Sequence, residues 1–212
     1  DWAYYVAGFS FLLAVCASIV MSGQLKQKSA DRISLTRMLS GFSYVWRNKI
    51  VLGAVSIDLV AVLLGGVMGL LPIYASAILA VGPDGLGLMR AMPGIGALFM
   101  GLALAQIAHP RYVGATMFIT LALFGGSIVI FSISTVFWIS LAALAIYGAS
   151  DMVSVYIRLT LVQLATPDEM RGRVSAVNSI SINASNELGD FRAGLMASGF
   201  GTVPAVLIGG IA

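Results

Sequence analysis

The 212 residues of this chain are 59% hydrophobic and only 10% charged, and their mean hydropathy is +0.97. Charged residues make up about a quarter of an ordinary soluble domain, so this composition excludes that class. The apolar runs are continuous and roughly 20 residues long, which is typical of spanning helices and not of barrel strands that alternate over about 10 residues. The sequence therefore predicts an all-α polytopic membrane protein, with the lipid bilayer as its solvent.

Basic residues outnumber acidic ones by 12 to 9. In a membrane protein this excess is interpreted loop by loop as a guide to orientation, and it does not indicate nucleic-acid binding. The single cysteine, Cys16, lies inside an apolar run and excludes an intrachain disulfide.

The first two predicted units are residues 1–23 and 24–49. Residues 3–21 carry no charge and are long enough to form a transmembrane helix. The connection 24–49 holds six basic residues against Asp31 alone, which places it on the cytoplasmic side. Its apolar residues recur at helical spacing and predict an amphipathic helix, which either lies in the headgroup region or packs under the bundle. These apolar positions are Leu35, Met38, Leu39, Phe42, Val45 and Trp46.

The remaining residues, 50–212, are predicted to form a transmembrane bundle, and its first span covers about 50–73. Asp58 lies inside this span, where a carboxylate costs several kcal/mol unless it is paired or protonated. Asp58 is therefore a candidate for substrate or proton binding, with a structural cap or ion pair as the alternative. The outer half of the span contains residues suited to close helix approach or bending, namely Gly65, Gly66, Gly69 and Pro72.

The next predicted span, about 86–107, contains Arg90 near its outer end. This arginine either extends to the water interface or pairs with an acid of another helix. Small residues at Ala97, Gly101 and Ala105 predict a face on which two helix backbones approach closely. The only histidine, His109, lies in a short cytoplasmic turn, and a proton-relay role is not favoured for it.

Two further predicted spans follow, at about 112–131 and 136–164. The first carries no charge. On the second, Tyr147, Asp151, Ser154 and Arg158 share one helix face, where the two opposite charges either neutralise each other or reach a partner helix. A charged turn follows with Arg171 and Arg173, and its basic residues place it on the cytoplasmic side.

The most distinctive polar pattern lies on the last full span. Asn183, Asn186, Glu187 and Asp190 recur at i, i+3, i+4 and i+7, which puts all four on one face. Polar groups inside a membrane span must face protein or a water-filled cavity, and not lipid. These four residues are therefore the best functional candidates. Arg192 lies on the opposite face, and we expect it to extend to the outer surface.

The final segment begins near residue 202 and is too short to span a membrane. The count is then six complete spans and the start of a seventh, with Lys or Arg in each predicted cytoplasmic connection. This count suggests a fragment of a longer chain.

Three segments carry a resemblance to a known family: DMVSVYIR at 151–158, TLVQLATPDEMRGRV at 160–174 and ASNELG at 184–189. They resemble bacterial exporters of the major facilitator superfamily related to the enterobactin (siderophore) exporter and to macrolide-efflux carriers. The resemblance implies a C-terminal half, about helices 6–11 plus the start of 12, and an N-terminal six-helix half that this sequence lacks. It also implies a bacterial cytoplasmic (inner) membrane. The segment QIAHPR at 106–111 departs from the signature loop of the superfamily.

Function follows from this resemblance as an expectation. It implies a secondary active transporter that exports a small amphiphilic molecule by alternating access, with protons as the coupling ion and no cofactor or metal. The candidates for substrate or proton coupling are Asp58, Arg90, Asn183, Asn186, Glu187 and Asp190. The candidates for a gating or structural charge network are Asp151, Arg158, Arg171 and Arg173.

One specific pairing and two alternative classes complete the expectations. Arg90 is at a depth that allows pairing with Glu187 or Asp190, and protonation of the acid would release it. An enzyme is disfavoured because the chain has one histidine, one cysteine and neither an HExxH nor a GxSxG motif. A non-transporting membrane scaffold or receptor remains the alternative function.

Overall fold

The structure is a computed structural model that describes residues 2–22, 35–106 and 113–212. Most of the basic connection, from 24 to 34, and the turn that contains His109 lie outside the described residues. In the described part, every regular element is helical, which confirms the predicted all-α class.

The helices follow the predicted spans closely. They are α1 (Trp2–Ser22), α2 (Leu35–Arg47), α3 (Lys49–Gly65), α4 (Leu71–Ile73), α5 (Gly82–Gln106), α6 (Val113–Ile133), α7 (Phe137–Ala165), α8 (Arg171–Phe200) and α9 (Thr202–Ile211). Residues 1–37 form one compact unit that contains α1, and residues 38–212 form a second unit that contains the bundle.

Four segments of the described chain are long and apolar enough to cross a membrane: Val51–Ile78, Gly82–Gln106, Gly114–Ile133 and Phe137–Ala165. They correspond to the four predicted spans between residues 50 and 164. Helix α8 has 30 residues, but its asparagines, serines and charges keep it outside this apolar group. The chain therefore keeps one long polar helix within an otherwise apolar bundle.

The bundle of residues 38–212 has two buried clusters. The larger one fills the space among α5, α6, α7, α8, α9 and the chain between α3 and α5. There, the rings of Tyr74 and Phe131 lie 4.6 Å apart, and the Tyr74 hydroxyl donates a hydrogen bond to the Ser132 carbonyl at 3.2 Å. The smaller cluster joins α2 and the start of α3 to the end of α7 and the start of α8 through Val45, Val51, Val55, Val162, Val174 and Val177.

Helix α2 packs under the bundle, which was one of the two predicted positions. Its Tyr44 hydroxyl donates a hydrogen bond to the Ala165 carbonyl at the end of α7. Arg173 at the start of α8 donates to the Ser40 hydroxyl at 3.1 Å. Of the predicted apolar face, Val45 is buried, whereas Phe42 and Trp46 remain exposed.

Helices α5 and α7 make the closest helix contact in the bundle through glycine. A Cβ at Gly96 would overlap the Ala145 carbonyl, and a Cβ at Gly148 would overlap the Pro93 carbonyl. Gly96, the neighbour of the predicted Ala97, makes the close backbone contact with α7. Gly101, the next predicted position, faces Met152.

We expect Gly148→Ala to lower the free energy of unfolding by about 1–3 kcal/mol, because the added methyl group forces two packed backbones apart. The measurement is thermal unfolding of the purified protein in detergent. Gly94→Ala is the matched control, since a Cβ there meets nothing within 4 Å. Equal destabilisation by both variants would contradict the glycine contact.

Candidate functional site

The span that begins with α3 is broken near its middle. Helix α3 ends at Gly65, and Gly66 and Val67 are not helical. The chain then continues as a 3-10 turn at Met68–Leu70, α4 and a π turn at Tyr74–Ile78. The glycines and proline of this region predicted bending, and the structure confirms an interruption there.

A break of this kind exposes backbone polar groups. The last carbonyls of α3 and the first N–H groups beyond the break lose their helical partners. No water is available in the hydrocarbon core to replace these partners, so protein groups must supply them.

Helix α8 supplies a partner to each side of the break. The Arg192 guanidinium donates from Nε to the Leu63 carbonyl at 2.9 Å, and from Nη2 to the Leu64 carbonyl. The Asp190 carboxylate accepts a hydrogen bond from the Gly69 N–H at 3.0 Å. The cation meets the C-terminal end of α3, where the helix dipole is negative, so its charge is favourable as well as its hydrogen bonds.

Glycine allows α3 and α8 to approach this closely. A Cβ at Gly66 would lie 2.6 Å from the backbone carbon of Gly189, and a Cβ at Gly189 would lie 2.8 Å from the Val62 carbonyl. Helix α9 also approaches the break closely. A Cβ at its Gly209 would overlap the Leu64 carbonyl and lie 3.0 Å from Arg192 Nη2. Three helices therefore meet at the break with almost no side chain between their backbones.

Two expectations about arginines change at this point. Arg192 was expected to extend to the outer surface, and this was wrong, because the arginine is half-buried against the end of α3. Arg90 is exposed on α5, and its guanidinium is not within ion-pair distance of Glu187 or Asp190. The reason is packing: α5 lies against α7, while Asp190 turns toward the backbone of Gly69.

The predicted polar face of α8 lies largely on the outside of the described bundle. Asn183, Asn186 and Glu187 are exposed, and Asp190 is half-buried at the helix break. Asp58 lies within α3, but its side chain is outside the described residues. The roles of these residues as substrate or coupling groups stay predictions.

A second polar feature lies between α3, α6 and α7. Asp151 lines a cavity of about 20 Å³ together with Thr120, Ser150 and Ser154. That volume is enough for one water molecule. Among the described side chains, no cation lies within ion-pair distance of the Asp151 carboxylate.

For the other members of the predicted charge network, the gating or structural role stays a prediction. Arg158 is 1% exposed on α7. Arg171 forms an ion pair with Asp168 at 2.9 Å in the exposed turn before α8. Arg173 binds Ser40 of α2. Together, Arg171 and Arg173 fix the α7–α8 turn and its contact with α2.

Sequence reasoning missed the contact between Arg192 and the end of α3. The glycines at positions 65, 66 and 69 were recognised as a weak point of the span, but helical periodicity assigned Arg192 only to a face of its own helix. The sequence nevertheless contained a signal for this contact. An interrupted membrane helix needs hydrogen-bond donors for its last carbonyls. Arg192 is the only basic residue beyond position 173 and was therefore the candidate donor on the last helices.

These features together define a polytopic helical membrane protein with a discontinuous span. The sequence profile of the Major Facilitator Superfamily matches residues 1–189. Because the match covers most of the chain, the chain belongs to the major facilitator superfamily, a family of membrane transporters. Comparisons with curated proteins and with solved structures gave no significant match.

We expect Arg192→Met to lower the free energy of unfolding by about 2–4 kcal/mol, because it leaves two carbonyls at the end of α3 without their donor in an apolar environment. Arg192→Lys should recover only part of this loss, since an ammonium group cannot reproduce the guanidinium geometry. Unfolding in detergent measures both variants.

The control for this prediction is Arg90→Met, which removes an exposed arginine and should change stability by less than about 0.5 kcal/mol. If Arg90→Met lowered the free energy of unfolding as much as Arg192→Met, the effect would not be specific to the contact with α3, and the prediction would be contradicted.

Proposed function

We propose that this chain is the C-terminal half of a secondary active transporter that exports a small amphiphilic molecule by alternating access. The proposed location is the bacterial cytoplasmic membrane, and the proposed coupling ion is the proton. The observation that carries the proposal is the exposed polar face of α8, formed by Asn183, Asn186 and Glu187 in a chain of the major facilitator superfamily.

This polar face needs a partner that the described bundle does not provide. An exposed carboxylate and two amides are unfavourable against lipid tails, so they must meet protein or a water-filled cavity. A second helical half packed on this face would leave such a cavity between the two halves. Sites near the midplane between two halves are typical of secondary transporters.

The helix break supports the same proposal. Interrupted helices near the midplane are common at the binding sites of secondary transporters. In this chain the break is bound to α8 by Asp190 and Arg192, two residues that directly follow the exposed face. A movement of α8 is therefore transmitted to the outer part of the broken span, which is how a substrate on the polar face would change the shape of the bundle.

Proton coupling has two candidate carboxylates with different surroundings. Glu187 is exposed and is suited to exchange protons with a wet cavity. Asp151 is partly buried beside a cavity large enough for one water molecule, and such a water would give a proton a path to the carboxylate.

The class of substrate follows from the exposed surface. The polar face presents amide groups and one acid, and its flanks carry large apolar side chains such as Leu188 and Phe191. A molecule with apolar bulk and a few hydrogen-bonding groups fits this surface, and a siderophore or a drug-like amphiphile has that character.

The test is proton-driven export by the full-length transporter in proteoliposomes. We expect Glu187→Gln and Asp151→Asn each to reduce export driven by a pH gradient at least tenfold, because each removes a proton-binding carboxylate. Asp58→Asn tests a further candidate carboxylate of the spans in the same assay. Glu169→Gln, in the exposed turn between α7 and α8, is the control and should leave export unchanged.

Unchanged proton-driven export in all three variants would contradict coupling through these acids. Absence of any saturable flux by the full-length protein would favour the alternative function, a non-transporting membrane scaffold or receptor. Binding of an amphiphile without flux would support the receptor alternative.

A further inference from the structure

A buried arginine lies within the span that α7 forms. Arg158 is 1% exposed, and it precedes the end of α7 at Ala165 by about 10 Å along the helix axis. A cation at this depth in a membrane span is costly unless an opposite charge neutralises it. The position of the acids around Arg158 therefore decides how its charge is accommodated.

The acids of α7 itself and of three neighbouring helices lie at other levels. Asp151 shares a face of α7 with Arg158, but it is about 10 Å away along the axis. Helix α6 contains no acid, and Asp84 of α5 is in the first turn of that helix, next to the opposite end of α7. Helix α8 starts at the end of the bundle where α7 stops, and its first acid, Glu187, is about 24 Å from that start.

Helix α3 runs antiparallel to α7, and two places along the helices fix their register. Val55 of α3 and Val162 of α7 belong to the same buried cluster. Further along α3, Val62 lines the small cavity of Asp151, which comes earlier on α7. Residue numbers therefore rise along α3 as they fall along α7.

This register brings Asp58 to the level of Arg158. Asp58 is the only acid of α3, and it lies between Val55 and Val62, just as Arg158 lies between Asp151 and Val162. Positions 55, 58 and 62 recur at i, i+3 and i+7, so they share the face of α3 that meets α7. Positions 151, 158 and 162 share one face of α7 in the same way. Positions 58 and 158 are therefore level, on the facing sides of two packed helices.

We propose that Asp58 supplies the negative charge that neutralises Arg158, and that this charge pair joins α3 to α7 inside the bundle. Two opposite charges at one level offset the cost of burying each other, so neither has to reach water. Asp58 then differs from a coupling acid, because the packing of the bundle needs its charge. Asp151 and Glu187 remain as the carboxylates of the proposed proton coupling.

The experiment is a double-mutant cycle on the full-length protein, with Tm in detergent as the readout. Asp58→Asn and Arg158→Gln should each lower Tm by about 5–10 °C, because each leaves one buried charge without its opposite. The double variant should return to within about 3 °C of the wild type, because it leaves no charge behind. The yield of monodisperse protein is measured alongside, so that a single variant that does not fold still gives a value.

The matched control removes the other acid on the same face. Asp151→Asn combined with Arg158→Gln should be no more stable than Arg158→Gln alone, because Asp151 lies at another level of α7. Asp58→Arg combined with Arg158→Asp restores opposite charges in exchanged positions and should recover part of the lost Tm and yield.

Additive losses of Tm and yield in the double variant Asp58→Asn with Arg158→Gln would overturn the pairing. Recovery by Asp151→Asn in place of Asp58→Asn would also overturn it, because Asp151 would then be the acid that neutralises Arg158. Transport is not measured in this assay, so its outcome is independent of the export proposal.

Discussion

The arrangement of the bundle depends on how the backbone of the broken span is satisfied. Where α3 ends at Gly65, the membrane provides no water for its last carbonyls, and Arg192 of α8 donates to two of them. Asp190 accepts the Gly69 N–H on the other side of the break. These bonds require α8 to lie directly against α3, and the glycines at the contact permit it. Arg192 and Asp190 therefore have two roles. They satisfy the backbone at the break after α3, and they hold the polar helix α8 in an apolar bundle.

Close backbone contact recurs elsewhere in the bundle for a related reason. Lipid tails are as apolar as leucine, so helices in a membrane gain little from burying apolar area and associate through close packing and hydrogen bonds. Gly96 and Gly148 bring α5 and α7 together in this way. The two contacts differ in consequence. The α5–α7 contact is purely steric, whereas the α3–α8 contact also carries the charges of Asp190 and Arg192.

The polar groups of the bundle fall into three separate places, and this separation suits a transporter. The polar face of α8, with Asn183, Asn186 and Glu187, is exposed, and the proposed second half and substrate would meet it there. Asp151 lies inside the bundle beside space for one water, and the proposed charge pair between α3 and α7 lies nearer the predicted cytoplasmic end. In the proposed function, proton uptake and substrate contact would then occur on helices α7 and α8, which the charged turn with Arg171 connects. Helix α2 braces that turn through Tyr44 and Ser40.

The sequence by itself determined the membrane class, the four spans between residues 50 and 164, the site of bending at Gly65 and Gly66, and the polar face of α8. It could do so because the length of an apolar run and the helical period are local properties of the chain. Only the tertiary structure decided which groups meet. Arg192 lies 129 residues from Leu63, and no period along one helix indicates which neighbour its guanidinium reaches. The expected pairing of Arg90 failed for the same reason. It rested on the similar depth of the two groups in the membrane, and depth along a helix does not specify which helices are adjacent. The level that Asp58 and Arg158 share is likewise visible only once α3 and α7 lie side by side, because residues on separate helices have no common period in the sequence.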